Sequence, residues 1–242
     1  MTLSIATPCQ DEEDPIKWYL ESCKHMYSVL RENLSEIVLV DGGSKDNTID
    51  IIKEYQKELP IKLLERPFDY PVNQQNFALE HCTGDFVFTP DADMTWTTNL
   101  PALFLTDYFN TGNYWDFLML FTARDAYHYF WKWPLGVNMR MHRRGPKWIR
   151  KYHVNLEGQT SGIPVCRDVV IFENSCRIKN EAALLNRGER RQIHTLGMEE
   201  EGAGPGSSDR FLGASKVPDE DIRAIWDFNA AIHNNILPNT DG

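Results

Sequence analysis

The sequence predicts an α/β fold with a mostly parallel sheet and helices on both faces, and three observations support this. Short apolar runs alternate with segments of helical spacing through residue 93, and the links between them are short. That alternation is typical of parallel strands joined by crossover helices. The runs also end at polar residues, namely Thr7, Asp41 and Asp91. Because ligands bind such sheets beyond the carboxyl ends of the strands, one pocket is expected to hold all three.

The first elements open this pattern. Leu3–Thr7 is an apolar run of strand length. Asp14-Pro15 then supplies an N-cap residue followed by a proline at the first helical position. Apolar residues recur at helical spacing over Pro15–Arg31, which predicts an amphipathic helix. Ile37–Val40 follows as a second buried strand.

The alternation continues to residue 93. Gly42-Gly43 predicts a tight turn, after which a helix begins at Asn47-Thr48. Ile61–Leu64 predicts a third strand and Val72–His81 a third helix. The apolar run within Asp85–Thr89 predicts the fourth strand, which leads directly into a short acidic turn.

The regular alternation of strands and helices does not continue after residue 97, which suggests a division of the chain. Leu100–Phe109 is predicted as a helix and Trp115–Thr122 as a strand. Gly202–Ser208 reads as a flexible loop, and Asp219–Asn235 as a closing helix. We therefore expect one unit over residues 1–100, a second over 101–200, and a loop with a terminal helix over 201–242.

Charge and cysteine content limit the classes of function. The formal net charge of −10 argues against a generic polyanion binder. The segment Arg140–Lys151, called the basic stripe below, nevertheless holds six Lys or Arg residues and no acid. The five cysteines form no C-x-x-C motif and suggest reduced thiols of a cytoplasmic protein. No apolar stretch reaches the length of a membrane span, and no export signal is evident.

The acidic turn Asp91-Ala92-Asp93 is the strongest candidate site. Two carboxylates at positions i and i+2, at the carboxyl end of a buried strand, can both face one divalent cation. A hard cation such as Mn²⁺ or Mg²⁺ takes carboxylate and phosphate oxygens together. Bound in that way, it would neutralise a departing diphosphate. His153 and His194 are further candidates for the metal shell.

Two further groups are expected at the same edge. Asp41 precedes two glycines, so its carboxylate can contact a base or ribose, or it can bond the backbone of its own turn. Gln74, Gln75 and Asn76 open a helix, and their amides can reach a sugar or a phosphate. A structural amide that caps a neighbouring strand is the alternative, and we favour it for Asn76.

The second half offers candidates for the acceptor and for the catalytic base. Arg143 and Arg144 in the basic stripe can bind a phosphate-bearing acceptor, and Trp148 can offer a stacking surface. A solvated strand pair is the alternative interpretation. A carboxylate should deprotonate the acceptor hydroxyl. The candidates are Asp116, Asp125, Glu157, Asp168 and Glu173, with Glu157 preferred and Asp168 retained.

Five ordered segments together resemble the family 2 glycosyltransferases of GT-A fold. Ile5–Glu13 resembles the opening strand and loop of that family, and Val40–Thr48 resembles its VD-G-S-D-x-T motif. Gln75–Ala78 is similar to the N-x-A helix, Thr83–Asp85 to the segment before the acidic strand, and Pro90–Asp93 to the metal-binding D-x-D. The resemblance covers about residues 3–100. It implies that residues 1–100 are the nucleotide-sugar-binding half and that residues 101–200 are the acceptor-binding half.

This resemblance implies an inverting, metal-dependent transfer of a sugar from a nucleotide-sugar donor, most often a UDP-sugar. It implies Thr7 and Asp41 on the nucleotide, with Asp91 bridging ribose and metal. Asp93 would bind the metal. The full set of expected nucleotide-sugar contacts is Thr7, Pro8, Asp41, Gly43, Gln75, Asp91 and Ala92. The acceptor would be a hydroxyl of a glycan or a glycolipid. A modified nucleobase in DNA is a further candidate acceptor, which the basic stripe with its tryptophan would suit.

A looser resemblance extends into the second half. Met139–Gly145 and Tyr152-His153 are similar to the LRLFRRG…VHE stretch of the subgroup that glycosylates lipopolysaccharide core. Val154 replaces the acid expected after the histidine, and Pro134–Asn138 lacks the expected aspartate. The base therefore cannot be assigned from this resemblance.

Two other classes of function stay open. Nucleotidyl transfer can use a similar sheet and a carboxylate-held metal, but it usually needs a basic, glycine-rich loop after the first strand. Cys9–Asp14 is acidic instead. The other class is a non-catalytic module that binds a glycan or a nucleic acid through the basic stripe.

Overall fold

The fold was obtained as a computed structural model, which describes residues 1–96, 98–105, 117–123, 135–149, 156–158 and 165–173. The strands are β1 Leu3–Cys9, β2 Leu34–Asp41, β3 Ile61–Glu65, β4 Phe86–Phe88, β5 Met94–Trp96, β6 Phe117–Ala123, β7 Leu135–Arg143 and β8 Val165–Glu173. The helices are α1 Ile16–Leu30, α2 Thr48–Tyr55, α3 Pro71–Glu80 and α4 Leu100–Leu105, with a short 3₁₀ turn at Arg31–Asn33. The loop and helix predicted beyond residue 201 lie outside the described residues.

The described strands form one sheet in the order β3-β2-β1-β4-β7-β6-β8-β5. The block β3-β2-β1-β4 is parallel throughout, as the alternation of strands and helices predicted. Strand β7 then runs antiparallel to β4, and β6 antiparallel to β7. The α/β class and its parallel core are therefore confirmed, and the second half of the chain extends the same sheet.

Helices cover both faces of the parallel block. Successive side chains of a strand point to opposite faces, so β1 contributes to two cores. Leu3 and Ile5 pack with α1 and α4 on one face, where Tyr19 and Phe104 are buried. Ala6 packs with α3 on the other face. Because both faces of the parallel block are buried, its strands are largely apolar runs in the sequence.

Some elements differ from the sequence prediction. Strand β2 begins at Leu34, three residues before the predicted start, because this end pairs with Leu3 of β1. Strand β5 was not predicted; it follows the acidic turn and pairs with β8 at the far side of the sheet. Among the described residues, no helix is long and apolar enough to span a membrane. Cys9, Cys23 and Cys82 are free and buried.

A hydrogen-bond cluster closes the amino edge of the sheet, where the strands begin. The hydroxyl of Ser4 donates to the Glu36 carboxylate, which also accepts from the backbone N–H of Thr83 at 2.8 Å and from the Thr83 hydroxyl. The backbone N–H of Gly84 donates to Ser4 Oγ at 2.8 Å. This cluster ties the loop before β4 to strands β1 and β2.

The close approach at Gly84 predicts that this position tolerates no side chain. A Cβ there would lie 2.7 Å from the Ser4 backbone nitrogen and 2.8 Å from the Leu3 carbonyl carbon. Backbone atoms in a paired strand cannot move aside easily, so we expect Gly84→Ala to lower the free energy of unfolding by about 1–3 kcal/mol. Urea unfolding measures the loss, which should be greater for Gly84→Ser. A stability equal to wild type in both variants would contradict the steric argument.

The hydrogen bonds of Glu36 predict that the protein loses stability in acid as this carboxylate becomes protonated. Burial disfavours its charge, but hydrogen bonds from Ser4, Thr83 and Gly84 outweigh burial and lower its pKa below the ordinary value of 4.5. A depressed folded-state pKa stabilises the fold fully above the ordinary pKa, and the benefit is lost as pH falls through the folded pKa. We expect Glu36→Gln to cost about 1–3 kcal/mol at pH 7 and to flatten the decline in acid.

Thermal unfolding between pH 7 and pH 3 tests this expectation. Glu32→Gln is the matched control because it removes the charge of an exposed glutamate just before β2. The same acid limb in Glu36→Gln as in wild type would show that another carboxylate is responsible.

Candidate functional site

Parallel pairing brings the predicted strand-end residues to one edge of the sheet. Cys9 pairs with Asp41 in the β1–β2 register, and Asp41 pairs with Glu65 in the β2–β3 register. On the other side of β1, the Thr7 hydroxyl donates to the Pro90 carbonyl at 2.9 Å. Thr7, Asp41 and the acidic turn that follows Pro90 therefore share the carboxyl edge.

Asp41 forms the turn at this edge. Its Oδ2 accepts hydrogen bonds from the backbone N–H of Gly43 at 2.8 Å and of Ser44 at 3.0 Å. The Ser44 hydroxyl donates to its Oδ1. Gly43 is exposed and has a φ of 99°, which glycine adopts without strain. Asp41 thus makes the backbone turn that was the alternative interpretation of this residue.

The loops after β1 and β2 are joined by side-chain hydrogen bonds, here named the loop lock, which comprises Asp11, Glu13, Ser44, Asp46 and Thr48. The backbone N–H of Asp11 donates to Ser44 Oγ at 3.0 Å. In return, Asp11 Oδ1 accepts from the Lys45 backbone N–H at 2.7 Å. Asp11 has a φ of 53°, a conformation that aspartate tolerates better than most residues.

The second part of the loop lock is built on Asp46. Its Oδ2 accepts from the Glu13 backbone N–H, and its Oδ1 from the Thr48 backbone N–H, both at 3.0 Å. Thr48 Oγ1 accepts from the Glu12 backbone N–H at 2.7 Å. Glu13 Oε2 accepts from the backbone and side chain of Asn47. These acceptors satisfy loop amides that would otherwise need water.

Thr7 links β1 to the acidic turn from inside the protein. Its side chain is 0% exposed and accepts a hydrogen bond from the Tyr19 hydroxyl at 2.8 Å, besides donating to Pro90. The Tyr19 phenol is fully buried, which raises its pKa well above the ordinary value. The Thr7 hydroxyl is therefore committed to protein partners.

Asp91 and Asp93 lie half-buried within a tight turn. The backbone N–H of Met94 donates to the Asp91 carbonyl at 3.0 Å, which closes that turn. Among the described residues, no group of three or more His, Cys, Asp or Glu side chains forms a potential metal site. His153 and His194 lie outside the described residues. Two carboxylates fit a Mg²⁺ or Mn²⁺ ion that also takes substrate phosphates and water as ligands.

The remaining predicted donor contacts surround these residues. Pro8 is half-buried between Thr7 and the end of β1, and Ala92 is buried within the acidic turn. Gln75 is buried, and its amide donates to the Ala6 carbonyl at 3.2 Å. In this structure Gln75 therefore anchors α3 to β1.

Asn76 and Trp148 hold the basic stripe against α3. The Asn76 amide donates to the Trp148 carbonyl at 2.9 Å and accepts from its N–H at 2.8 Å, so the structural interpretation of Asn76 is confirmed. The Trp148 side chain is 6% exposed and packs with Val72, Leu79 and Leu156. Trp148 is therefore a core residue and not the exposed stacking surface that the sequence suggested.

Arg143 and Arg144 lie at the opposite edge from the acidic turn. Arg143 pairs with Phe86, the first residue of β4, and its guanidinium carbon lies 4.8 Å from the centre of the Phe86 ring. The backbone N–H of Arg144 donates to the Asp85 carbonyl at 3.0 Å. Asp91 follows the other end of β4. The antiparallel pairing of β7 thus carries this arginine pair to the amino edge, so the expected acceptor site beside the donor is not formed there.

The predicted bases occupy different places. Glu157 is exposed; its backbone N–H donates to the Lys147 carbonyl at 2.9 Å, and Oε2 accepts from the Lys147 N–H at 3.2 Å. Lys147 in turn pairs at 2.7 Å with Glu80, the last residue of α3, which places Glu157 away from the acidic turn. The backbone of Asp168 lies within β8.

Glu173 is the candidate base whose backbone lies beside the acidic turn. It pairs with Met94 in the β5–β8 register, one residue from Asp93. Asp168 is five residues farther along β8, about 16 Å away in an extended strand. Asp116 and Asp125 lie outside the described residues.

Two residues at this edge were missed by the sequence prediction. Tyr19 reads only as an apolar position of α1, because helical periodicity does not reveal a hydroxyl partner. The backbone N–H of Arg66 donates to the Asp41 carbonyl at 2.9 Å, and its guanidinium binds Asp69 at 2.8 and 2.9 Å. The hydrogen bond from Arg66 is the main reason that the pKa of Asp69 lies well below its usual range. The i, i+3 spacing of Arg66 and Asp69 was the available signal.

Part of this chain is similar in sequence to curated proteins. A lipopolysaccharide core biosynthesis glycosyltransferase, LpsC of Rhizobium meliloti (strain 1021), is 34% identical over 94 residues, which are 38% of this chain and 32% of the relative. An undecaprenyl-phosphate 4-deoxy-4-formamido-L-arabinose transferase of Pseudomonas fluorescens (strain Pf0-1) is 31% identical over 100 residues, 38% of this chain and 28% of the relative. This chain thus spans about a third of the length of these relatives.

Solved structures show more distant likeness. Residues 1–349 of S. aureus TarS superpose with a TM-score of 0.45 at 25% identity, covering 51% of this chain and 36% of TarS. The glucosyl-3-phosphoglycerate synthase of Mycobacterium tuberculosis, crystallised with Mn²⁺, uridine diphosphate and glucosyl-3-phosphoglycerate, gives a TM-score of 0.40 at 20% identity, covering 50% of this chain and 44% of the synthase.

The family match covers the parallel block, the acidic turn and the basic stripe together. Residues 4–161 match the family described as Glycosyl transferase family 2. That range includes every donor-side residue that the sequence singled out, from Thr7 to Asp93. The chain belongs to glycosyl transferase family 2.

Proposed function

We propose that this chain binds a nucleotide-sugar at the carboxyl edge of β1, β2 and β4 and transfers the sugar to a hydroxyl acceptor. One observation carries the proposal: parallel pairing brings Thr7, Asp41 and the Asp91–Asp93 turn to one edge in a chain of this family. Sheets of this kind bind their ligands at that edge. Family membership also favours glycosyl transfer over nucleotidyl transfer.

Asp41 would contact the nucleotide in addition to forming its turn. Its carboxylate accepts three hydrogen bonds from Gly43 and Ser44, and a carboxylate has about four acceptor sites. The remaining acceptor site thus suits a hydroxyl group of the ribose or an N–H group of the base. Pro8, Gly43 and Gln75 would line the same nucleotide site, and the close backbone approach at Gly43 is open because no side chain stands there. A UDP-sugar is the donor that the motif resemblance favours.

Asp91 and Asp93 would hold a Mn²⁺ or Mg²⁺ ion with the diphosphate of the donor, and Ala92 between them would lie against the sugar-nucleotide. The bound ion would supply positive charge to the departing diphosphate. The surrounding residues are acidic and include Asp11 and Asp41. Their negative charge favours binding of a cation and disfavours binding of a diphosphate that carries no metal ion. Metal and donor are therefore expected to bind together.

The base that deprotonates the acceptor is expected on β8, with inversion at the anomeric carbon. The pairing of Glu173 with Met94 supports Glu173 over Asp168 and Glu157, because a base must lie within hydrogen-bond reach of the acceptor at the donor. Arg143, Arg144 and Trp148 gain no support as acceptor contacts, since they lie at the amino edge or in the core. The names of the two curated relatives favour a glycan or lipid-linked acceptor over a nucleobase.

Asp93→Ala tests the metal assignment. We expect Mn²⁺ to strengthen UDP binding to wild type and to lose most of that effect in the variant, a change of at least ~10-fold in dissociation constant, because a direct ligand is removed. Titration calorimetry with UDP, with and without MnCl₂, measures it. Asp50→Ala is the matched control, because Asp50 is an exposed aspartate in the first turn of α2. Equal Mn²⁺ dependence in wild type and Asp93→Ala would reject the site.

Glu173→Gln tests the base assignment. We expect kcat for hydrolysis of the best-binding UDP-sugar, in which water replaces the acceptor, to fall by about 10²–10⁴-fold. Binding of Mn²⁺ and UDP should stay unchanged, because the residue is not assigned to the donor. Glu157→Gln should hydrolyse the donor at the wild-type rate. If Glu157→Gln or Asp168→Asn loses hydrolysis and Glu173→Gln does not, the base lies elsewhere than the β5–β8 register suggests.

A further inference from the structure

We propose that Tyr19 is a positioning residue for the acidic turn, acting through Thr7 on the Pro90 carbonyl. The proposal rests on the proposed function, in which Asp91 and Asp93 hold the cation and diphosphate. It assigns Thr7 an anchoring role in place of a side-chain contact with the nucleotide. Tyr19 lies on α1, outside the sequence motifs at the carboxyl edge.

The first support is a directed chain of hydrogen bonds. The Tyr19 hydroxyl donates to Thr7 Oγ1 at 2.8 Å, and Thr7 Oγ1 donates to the Pro90 carbonyl at 2.9 Å. Each hydroxyl has one proton. Because Tyr19 supplies a proton to the Thr7 oxygen, the Thr7 proton is directed to Pro90, the residue immediately before Asp91.

The second support is burial. Tyr19 and Thr7 are both 0% exposed, and Pro90 is buried too. If one of these hydrogen bonds is lost, water cannot replace the missing partner without entering the core. A buried carbonyl left without its donor is costly, so Pro90 would shift to find another partner. Any such shift would move the carboxylate of the next residue.

The third support is that the Tyr19 ring also contacts the strand that follows the turn. Its centre lies 5.8 Å from that of Trp96 in edge-to-face geometry, and Trp96 packs 4.9 Å from Phe88 in the same geometry. Phe88 ends β4 and Trp96 ends β5, so the two strands that flank the acidic turn meet at this aromatic cluster. Tyr19 therefore fixes the entry of the turn by its hydroxyl and the exit by its ring.

Positioning of this kind matters because cation ligands tolerate little displacement. Productive site geometry is held to within about 0.5 Å by surrounding contacts. Asp91 and Asp93 are two residues apart in a turn that is closed by a backbone hydrogen bond from Met94 to Asp91. Because Pro90 immediately precedes this turn, an anchor at its carbonyl helps to set where the two carboxylates lie.

A second tyrosine offers a matched control. The Tyr55 hydroxyl donates to Glu21 at 2.6 Å, which ties α2 to α1 by the same chemistry at a place that the proposal leaves out of the donor site. Tyr19→Phe and Tyr55→Phe each delete one hydroxyl with its hydrogen bond and keep the ring. A difference between them at the donor site reports the connection to Pro90 and not a general loss of stability.

The experiment compares Tyr19→Phe, Thr7→Val, Thr7→Ser and Tyr55→Phe with wild type. Calorimetry with MnCl₂ and UDP gives the dissociation constant, and hydrogen exchange of the Met94 amide reports the acidic turn without any ligand. We expect binding about 3–10-fold weaker in Tyr19→Phe and about 10–100-fold weaker in Thr7→Val, with faster Met94 exchange in both. Thr7→Ser keeps the hydroxyl and should restore both readouts, and Tyr55→Phe should change neither.

The outcomes separate this proposal from the proposed function. Met94 exchange equal in Tyr19→Phe and Tyr55→Phe would overturn the positioning role, whatever the protein binds. Faster exchange with unchanged Mn²⁺–UDP affinity would also overturn it, because the anchor would then be structural only. If wild type and Asp93→Ala both fail to bind Mn²⁺–UDP, the proposed function fails, and Met94 exchange still decides whether Tyr19 anchors the turn.

Discussion

The parallel pairing of β1 between β2 and β4 constrains everything at the carboxyl edge. Backbone hydrogen bonds on both sides set the register, so Cys9 ends level with Asp41 and Thr7 reaches Pro90. Burial of both faces prevents β1 from slipping, because a shift by one residue would exchange the faces of Ile5 and Ala6. The three loops that follow these strands therefore emerge together. Without that register, the acidic turn and the Asp41 turn would be unrelated surface features.

Acidic residues at this edge have structural partners in the protein itself. Asp11 and Asp46 accept hydrogen bonds from backbone N–H groups of the other loop, which joins the loops after β1 and β2, and Asp41 accepts them within its own turn. Carboxylates suit this role because they accept several bonds and donate none. The same negative charge makes the edge favourable for a cation that accompanies a diphosphate. One set of residues thus both shapes the rim of the site and sets its electrostatic character.

The two edges of the sheet have different chemistry. At the amino edge, Glu36 and Gly84 tie the loop before β4 to β1 and β2, and Arg143 packs on Phe86. The contact between Arg143 and Phe86 joins the parallel block to β7 in the second half. The basic stripe belongs to this arrangement: Asn76 binds the backbone at Trp148, and Lys147 pairs with Glu80. Among the described residues of the stripe, Arg143 and Arg144 lie at the amino edge and Trp148 lies in the core, so this segment did not become a site beside the acidic turn.

Local pattern was sufficient for the elements through β4 and for the edge at which Asp41 and Asp91 lie, because helical and strand periodicity, turn residues and short links act over a few residues. It was insufficient where partners are distant in the chain. Contacts between segments tens of residues apart determine how Tyr19 packs on Trp96, how Trp148 is buried, why Arg143 lies at the amino edge, and how Glu173 pairs with Met94. A buried hydroxyl or an antiparallel neighbour leaves no periodic signal. Only the packed sheet decides which of several carboxylates and basic residues lie near the acidic turn.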